Sequence, residues 1–245
     1  MYLISITKKK IVYFFTKKKY VIIWNDHSEQ TSEKICAELE KKTNAFKYVV
    51  IGEPKDILFY PIGVKYVQSI MFFITDVTKL SEKPKERDKI QLKILNHLKR
   101  EGAFLGTHDI IYRRMRNDAL EKAFGCQTNN FKRLNKPVEA FKTKKYYSHP
   151  LLKDIPDEFS FDDGEVCWGE WVPDAKILIQ TKIGYNNRKK IPLLVTRKVS
   201  FNGLTIWLNS GDKFIDLPKS ISEPEDILIQ ILANSLNYLD EIKNY

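Results

Sequence analysis

The chain has 245 residues, of which 43% are apolar, enough for one large domain with a substantial core. Its three cysteines, Cys36, Cys126 and Cys167, show neither a disulfide framework nor the spacing of paired zinc ligands, which predicts a reducing, cytoplasmic compartment. The longest apolar stretches, at 11–15 and 69–74, are much shorter than the roughly 20 residues that a bilayer requires, so no membrane segment is expected.

The net charge of +10 is concentrated in two segments. Residues 1–20 hold six lysines and no acidic residue, and residues 113–145 hold ten basic residues against three acidic ones. We interpret 1–19 as a basic extension and 20–245 as a single domain. The basic segment 113–145 is either a solvated face or a surface that attracts nucleic acid or a nucleotide. Because no RNA-binding motif or recognition helix accompanies these charges, the nucleic-acid interpretation is the weaker one.

The first half of the domain alternates strands and helices in the order expected of a parallel sheet. Apolar runs rich in β-branched residues predict strands buried on both faces, and apolar residues spaced by three and four positions predict amphipathic helices. Gly102 is expected to supply the left-handed residue that ends the second helix, and His97 is expected on the solvated face of that helix. In chain order the elements are a strand at 20–24, a helix at 29–42, strands at 46–51 and 69–74, a helix at 86–100 and a strand at 102–107.

The pattern changes after residue 110. The polar, basic stretch 110–170 is interpreted as an excursion from the sheet, with a helix at 112–124 and an extended segment at 141–147. Regular strands resume at 175–181, 193–197 and 204–208. Asn202-Gly203 between the last two strands predicts an antiparallel hairpin, and a final helix begins at Pro224. The predicted fold is α/β, a mostly parallel sheet flanked by helices, with a late antiparallel hairpin and an inserted basic region.

Four segments carry a resemblance to a known family. Residues 102–108 read Gly-Ala-Phe-Leu-Gly-Thr-His after a predicted helix, residues 149–159 begin His-Pro-Leu and end at a phenylalanine, residues 162–165 read Asp-Asp-Gly-Glu, and residues 192–212 form the closing hairpin. Together these segments resemble the trehalose-utilisation (ThuA-like) family, a branch of the class I glutamine amidotransferase-like superfamily. The resemblance implies a flavodoxin-like sheet and a sugar-like or otherwise hydroxyl-rich substrate.

Two departures from that superfamily bear on function. Amidotransferases carry a nucleophilic cysteine on the turn after the central strand, whereas this turn is Gly106-Thr107-His108, so glutamine hydrolysis is not expected. The late strand ends in Asn209-Ser210-Gly211-Asp212, where relatives have Gly-His. The loss of both features leaves open, as the alternative to an enzyme, a non-catalytic module that senses a ligand or serves as a scaffold.

Polar residues at the carboxyl ends of the predicted strands define the candidate site, because ligands of open α/β sheets bind beyond these ends. His108 is the predicted acid–base group, with Asp109 or Glu165 orienting its ring and stabilising its cation. Such a set suits isomerisation, elimination or hydrolysis of a small molecule. The ligand-binding candidates are Asn25, Asp26, His27, Thr107, Arg113, His149, Asn209 and Asp212.

Imidazole and carboxylate groups also suit a divalent metal ion. The chain has no His-x-x-x-His or comparable helical spacing, so neither a metal nor another cofactor is predicted. The expected partner is a small, sugar-like ligand, and a homo-oligomer is compatible with the sequence.

Overall fold

A computed structural model describes residues 18–133, 137–161, 165–182, 190–199, 203–209 and 223–243. Four predicted features lie outside these ranges: most of the basic extension, Asp162 and Asp163 of the acidic stretch, Asn202 of the predicted turn, and Asp212. Among the described residues, no helix is both long enough and apolar enough to cross a bilayer.

The described residues form thirteen strands and four α-helices. The strands are β1 (Tyr20–Asn25), β2 (Lys47–Val50), β3 (Val67–Phe73), β4 (Ala103–Thr107), β5 (Tyr112–Arg113), β6 (Met115–Arg116), β7 (Cys126–Arg133), β8 (Val138–Lys142), β9 (Glu158–Phe161), β10 (Glu165–Trp171), β11 (Lys176–Thr181), β12 (Pro192–Val199) and β13 (Gly203–Leu208). The helices are α1 (Glu29–Lys42), α2 (Pro84–Lys99), α3 (Asp118–Phe124) and α4 (Glu223–Lys243).

Nine of these strands form one sheet in the order β2-β1-β3-β4-β13-β12-β11-β8-β9. The first five are parallel to one another, and β12, β11, β8 and β9 continue the sheet with antiparallel pairings. The predicted late hairpin is confirmed, since Val199 of β12 lies opposite Gly203 of β13. The α/β class and the parallel sheet between helices are therefore confirmed.

Helices cover both faces of the parallel strands. On one face, α1 and α4 pack onto the sheet with side chains that include Ile35, Leu39 and Leu232. On the other face, α2 and α3 do so with side chains that include Ile90 and Phe124. Because both faces are covered, the parallel strands are continuous apolar runs rather than alternating ones.

The segment 110–170 is more closely tied to the sheet than an excursion would be. Two of its strands, β8 and β9, join the main sheet beside β11, and two others, β7 and β10, form a separate antiparallel ribbon. The helix predicted at 112–124 is shorter, because the Asn117 side chain accepts a hydrogen bond from the Leu120 amide and caps a helix that begins only at Asp118. The short pair β5 and β6 precedes it.

The predictions for His97 and Gly102 are wrong. His97 is fully buried: its Nδ1 accepts a hydrogen bond from the Gly63 amide at 2.9 Å, and its Nε2 lies 3.1 Å from the Ala103 carbonyl, to which it therefore donates. The left-handed residue at the helix end is Glu101, with φ of 62°, rather than Gly102. Gly102 is required for another reason, since a Cβ there would lie 2.1 Å from atoms of the His97 ring.

Candidate functional site

The carboxyl ends of the parallel strands meet at one edge of the sheet, where the chemistry was expected. Immediately after β4 the chain makes a single 3-10 turn from His108 to Ile110, which sets His108 and Asp109 at the end of that strand. The ribbon strand β10 brings Glu165 and Cys167 to the same place. These two residues are two positions apart on a strand, so their side chains share one face.

The four side chains of His108, Asp109, Glu165 and Cys167, called here the His108 cluster, are all buried, and each has a potential ligand atom within 4.8 Å of the others. Nδ1 of His108 lies 2.8 Å from an Asp109 carboxylate oxygen, and Nε2 lies 3.8 Å from a Glu165 carboxylate oxygen. The 2.8 Å contact lacks the alignment of a hydrogen bond, although the two atoms are close enough to make one. The imidazole is thus placed between two carboxylates.

The surroundings of His108 favour its charged form. Burial by itself lowers the pKa of His108, but the Cys167 sulfur and the Asp109 carboxylate raise it more, so the pKa lies well above its ordinary value. Burial raises the pKa of the Cys167 thiol, an effect that the neighbouring His108 only partly opposes. The titrations of His108 and Cys167 are therefore coupled, because a charged sulfur favours the imidazolium and the imidazolium favours the thiolate.

Arginines of the basic segment pair with acids at this edge. Arg113 donates from Nη1 to Glu165 at 3.0 Å, and its guanidinium lies over the Phe131 ring at 4.1 Å from the centroid. Arg114, with φ of 58°, pairs through Nε with Asp76 at 2.9 Å. Arg113 therefore contacts the His108 cluster through Glu165. Asp76, which follows β3, and Arg114, which follows β4, pair with each other.

Of the three candidates at the end of β1, Asn25 and Asp26 make hydrogen bonds within the protein, and His27 has an exposed side chain. Asp26 accepts hydrogen bonds from both the amide and the hydroxyl of Thr75 at 2.7 Å. Burial raises the pKa of Asp26, an effect that the hydrogen bonds from Thr75 only partly oppose. Asn25 is buried and accepts from the His27 amide, whereas the side chain of His27 is exposed.

Two further candidates form hydrogen bonds within the protein. The Thr107 hydroxyl both accepts from the Ile74 amide, at 3.0 Å, and donates to the Ile74 carbonyl, at 2.9 Å. Asn209, at the end of β13, accepts from the Cys167 amide at 2.8 Å and donates to the carbonyls of Cys167 and Pro192 at 2.7 and 2.9 Å. Asn209 therefore holds the backbone on both sides of Cys167, which fixes β10 against the main sheet.

His149 packs against Tyr238 of the last helix, away from the His108 cluster. Its ring centroid is 4.8 Å from that of Tyr238 on α4, and its Nδ1 accepts from the Leu151 amide at 3.3 Å. Tyr146 is a second aromatic neighbour. None of these neighbours belongs to the His108 cluster, so the described structure does not bring His149 together with His108.

The buried position of His149 predicts a dependence of stability on pH. Burial, helped by the positive charge of Lys176, lowers the pKa of His149 to about 4. An unfolded chain binds a proton on this ring below about pH 6.5, whereas the folded chain resists it down to about 4, so the stabilisation is present above 6.5 and lost towards 4. We expect His149 to account for a fall of up to roughly 3 kcal/mol in the free energy of unfolding over this range.

Urea denaturation of the wild type and of His149→Gln at several pH values between 4 and 7 tests this expectation. The carboxylates titrate in both proteins, so the difference between the two pH profiles isolates His149. Parallel profiles would contradict the expectation.

Sequence reasoning missed Cys167 as a member of the site. The acidic stretch before it drew attention to Glu165, and the period of two along a strand was the available signal that Cys167 faces the same way. What could not be inferred is that this face meets His108, since the contact depends on how the ribbon is attached to the sheet.

Comparison with known proteins identifies the fold. No family model matches the sequence, and no curated protein matches it. Among solved structures, a protein from Bacteroides uniformis named as ThuA-like is 18% identical, with 92% of this chain and 94% of that chain covered and a TM-score of 0.59. A glutamine amidotransferase from Thermotoga maritima is 12% identical, with 92% and 100% covered and a TM-score of 0.56.

A carbohydrate deacetylase is 10% identical, with a TM-score of 0.56, and 89% of this chain covers 32% of that chain, so the match spans about a third of that protein. At these identities the similarity establishes the fold. The chain therefore has the α/β fold of the glutamine amidotransferase-like proteins. Within that class its architecture is similar to that of ThuA-like proteins, as the sequence motifs indicated.

Proposed function

We propose that this chain binds a sugar-like, hydroxyl-rich small molecule at the carboxyl edge of the sheet and transforms it by proton transfer. The observation that supports the proposal is the position of His108, at the end of β4 with a carboxylate near each ring nitrogen. Similarity of fold to a ThuA-like protein and to a carbohydrate deacetylase supports the choice of ligand class.

The residues of this edge have distinct roles in the proposed reaction. The imidazolium of His108 donates a proton to a leaving oxygen, and the neutral imidazole then takes one from a hydroxyl group or from water. Asp109 and Glu165 stabilise the cation before and after the transfer. Hydroxyl groups of the ligand bind the polar side chains of Asp26 and Arg114 beside the cluster. The ligand enters past Arg113, whose side chain is 23% exposed where it contacts Glu165.

The test is a comparison of His108→Gln with the wild type on acetylated sugars, aryl glycosides and sugar lactones, with binding measured in parallel by calorimetry. We expect turnover to fall by about 10²- to 10⁴-fold, because a glutamine side chain cannot transfer a proton at this position. Turnover is compared per folded molecule, because removing a buried cation from beside two carboxylates also lowers the melting temperature, by about 2 to 4 °C for each kcal/mol.

The matched control is His97→Gln, the same substitution at a buried histidine near the opposite end of β4. This variant is expected to lose stability while its folded fraction keeps the turnover of the wild type. Full turnover by His108→Gln would contradict the proposal. Binding of a sugar without turnover by the wild type would favour the ligand-sensing alternative.

A further inference from the structure

We propose that the His108 cluster binds one divalent transition-metal ion, and that Zn²⁺ fits its donors best. The proposed ligands are Nε2 of His108, a carboxylate oxygen of Glu165 and the sulfur of Cys167, with the fourth position left for water or ligand. Asp109 is the proposed partner of Nδ1. The inference rests on the proposed function for the location of the chemical centre, but it gives His108 a different role there, that of a metal ligand in place of a proton donor and acceptor. Metal binding is measurable without any activity.

The types of donor in the cluster support this assignment. Imidazole nitrogen, carboxylate oxygen and thiolate sulfur are the three ligand types that zinc takes in proteins. Bond lengths of about 2.0 to 2.3 Å set tetrahedral ligand atoms roughly 3.3 to 3.8 Å apart. The cluster is only slightly wider, since its potential ligand atoms lie within 4.8 Å of one another and Nε2 lies 3.8 Å from Glu165. Small side-chain rotations bring these atoms to bonding distance.

The poorly aligned contacts of the buried His108 ring are the second observation. His108 is fully buried, and its ring nitrogens contact the Asp109 and Glu165 carboxylates at 2.8 and 3.8 Å without the alignment of a good hydrogen bond. Buried polar groups in folded proteins usually make well-aligned hydrogen bonds, so poorly aligned contacts around a fully buried imidazole are unusual. A metal ion on Nε2 fixes the ring, and the Nδ1 proton then faces the Asp109 oxygen that lies 2.8 Å away, the carboxylate–histidine–metal arrangement common in metalloproteins.

Charge balance and rigidity also fit a metal centre. With the thiol deprotonated, the cluster carries three negative charges, which a divalent ion and Arg113 together neutralise inside the protein. Arg113 holds the Glu165 carboxylate, and Asn209 holds the amide and carbonyl of Cys167. Hydrogen bonds of this kind to ligating residues are typical of metal sites. A bound ion would supply Lewis acidity and an activated water, and this chemistry would replace the proton transfer assigned above to His108, because both ring nitrogens would then be engaged.

The experiment is a titration of chelator-treated protein with Zn²⁺ in competition with a chromogenic chelator, repeated with Co²⁺ as a spectroscopic probe. We expect one ion per chain and a thiolate-to-cobalt charge-transfer absorption in the near ultraviolet. Cys167→Ser should lose that absorption, and Asp109→Asn should bind Zn²⁺ about 10- to 100-fold more weakly, as loss of such a partner does elsewhere. The matched control is Cys126→Ser, a buried cysteine on the partner strand of the ribbon, which should leave both signals unchanged.

A measurement on the wild type keeps the inference testable if the variants fold poorly. Zn²⁺ should slow alkylation of Cys167 by iodoacetamide at least about tenfold, measured by peptide mass spectrometry, because a ligated thiolate is not free to react. The melting temperature should rise by roughly 5 to 10 °C at a hundredfold excess of Zn²⁺ over its dissociation constant.

Two results would overturn the inference: no bound ion, or binding that Cys167→Ser and His108→Gln leave unchanged. The two proposals fail separately. If metal-free protein transforms sugars fully and binds no ion, only the metal centre is refuted. If the cluster binds one ion and no sugar is bound or transformed, only the proposed function is refuted.

Discussion

A single added methyl group at position 102 is expected to destabilise the protein by roughly 3 to 5 kcal/mol. In Gly102→Ala the new Cβ would lie 2.1 Å from two atoms of the His97 ring, a separation that requires the ring to move. The ring is held by the Gly63 amide and the Ala103 carbonyl, so movement breaks two buried hydrogen bonds. Overpacking costs about 1 to 3 kcal/mol, and each lost hydrogen bond adds about 1. Urea denaturation measures the sum.

The matched control is Gly52→Ala. Its Cβ would meet the carboxylate oxygen of Glu29 at 2.6 Å, but that oxygen is the far end of an exposed, flexible side chain, so we expect a loss below about 1 kcal/mol. Equal losses for the two variants would contradict the explanation. In a double-mutant cycle, Gly102→Ala should cost much less when His97 is already alanine, because the ring it would strike is gone.

The sequence predictions were most accurate where the residues that determine an element lie close to it in the sequence. The bounds of α1 agree with the predicted 29–42, because the residue that caps the helix directly precedes it: the Ser28 side chain accepts a hydrogen bond from the Thr31 amide. Apolar side chains also repeat along one face of this helix. The strand at 20–24 and the hairpin before Gly203 were recognisable for the same reason. Each signal lies within a few residues of the element that it predicts.

The predictions were wrong where the environment of a residue is made by a segment distant in the sequence. His97 has polar neighbours on α2, which indicated a solvated face, but the loop at Gly63 covers it and supplies its hydrogen-bond donor. Likewise, nothing near Val138–Lys142 indicates that this strand joins the main sheet, since its partner there is β11, with Lys142 opposite Ile179. Pairing between distant strands depends on the packed structure rather than on local preference.

The candidate site divides in the same way. The position of His108 and Asp109 at a strand end was predictable because the strand before them is an obvious apolar run and polar residues follow it at once. Glu165 was predicted from the family resemblance, but Cys167 was not predicted, because its contact with His108 depends on how the ribbon is held to the main sheet, in part by hydrogen bonds to Asn209. Asn209, which the sequence suggested as a ligand-binding residue, therefore holds the backbone of Cys167, which the sequence did not suggest.

Removal of the Asn209 amide is the second large effect that we expect. Asn209→Ala leaves the buried amide and carbonyl of Cys167 and the carbonyl of Pro192 without their partner. Each unpaired buried group costs about 1 to 3 kcal/mol, so the total loss of stability should be roughly 3 to 5 kcal/mol after partial relaxation. Asn209→Asp should be at least as harmful, because it turns a carboxylate oxygen towards two carbonyl oxygens in a buried place. Urea denaturation measures both losses.

A general loss of stability would not by itself show that Asn209 positions Cys167, so the test needs a second readout and a matched control. Asn234→Ala removes another buried amide, one that donates to the carbonyls of Leu151 and Lys153 at 3.1 and 2.7 Å, and should cost a comparable amount. Only the Asn209 variants should speed alkylation of Cys167 relative to Cys126 under native conditions, because only they free β10 locally. If Cys126 reacts faster to the same degree, the ribbon opens as a unit and Asn209 has no specific hold on the site.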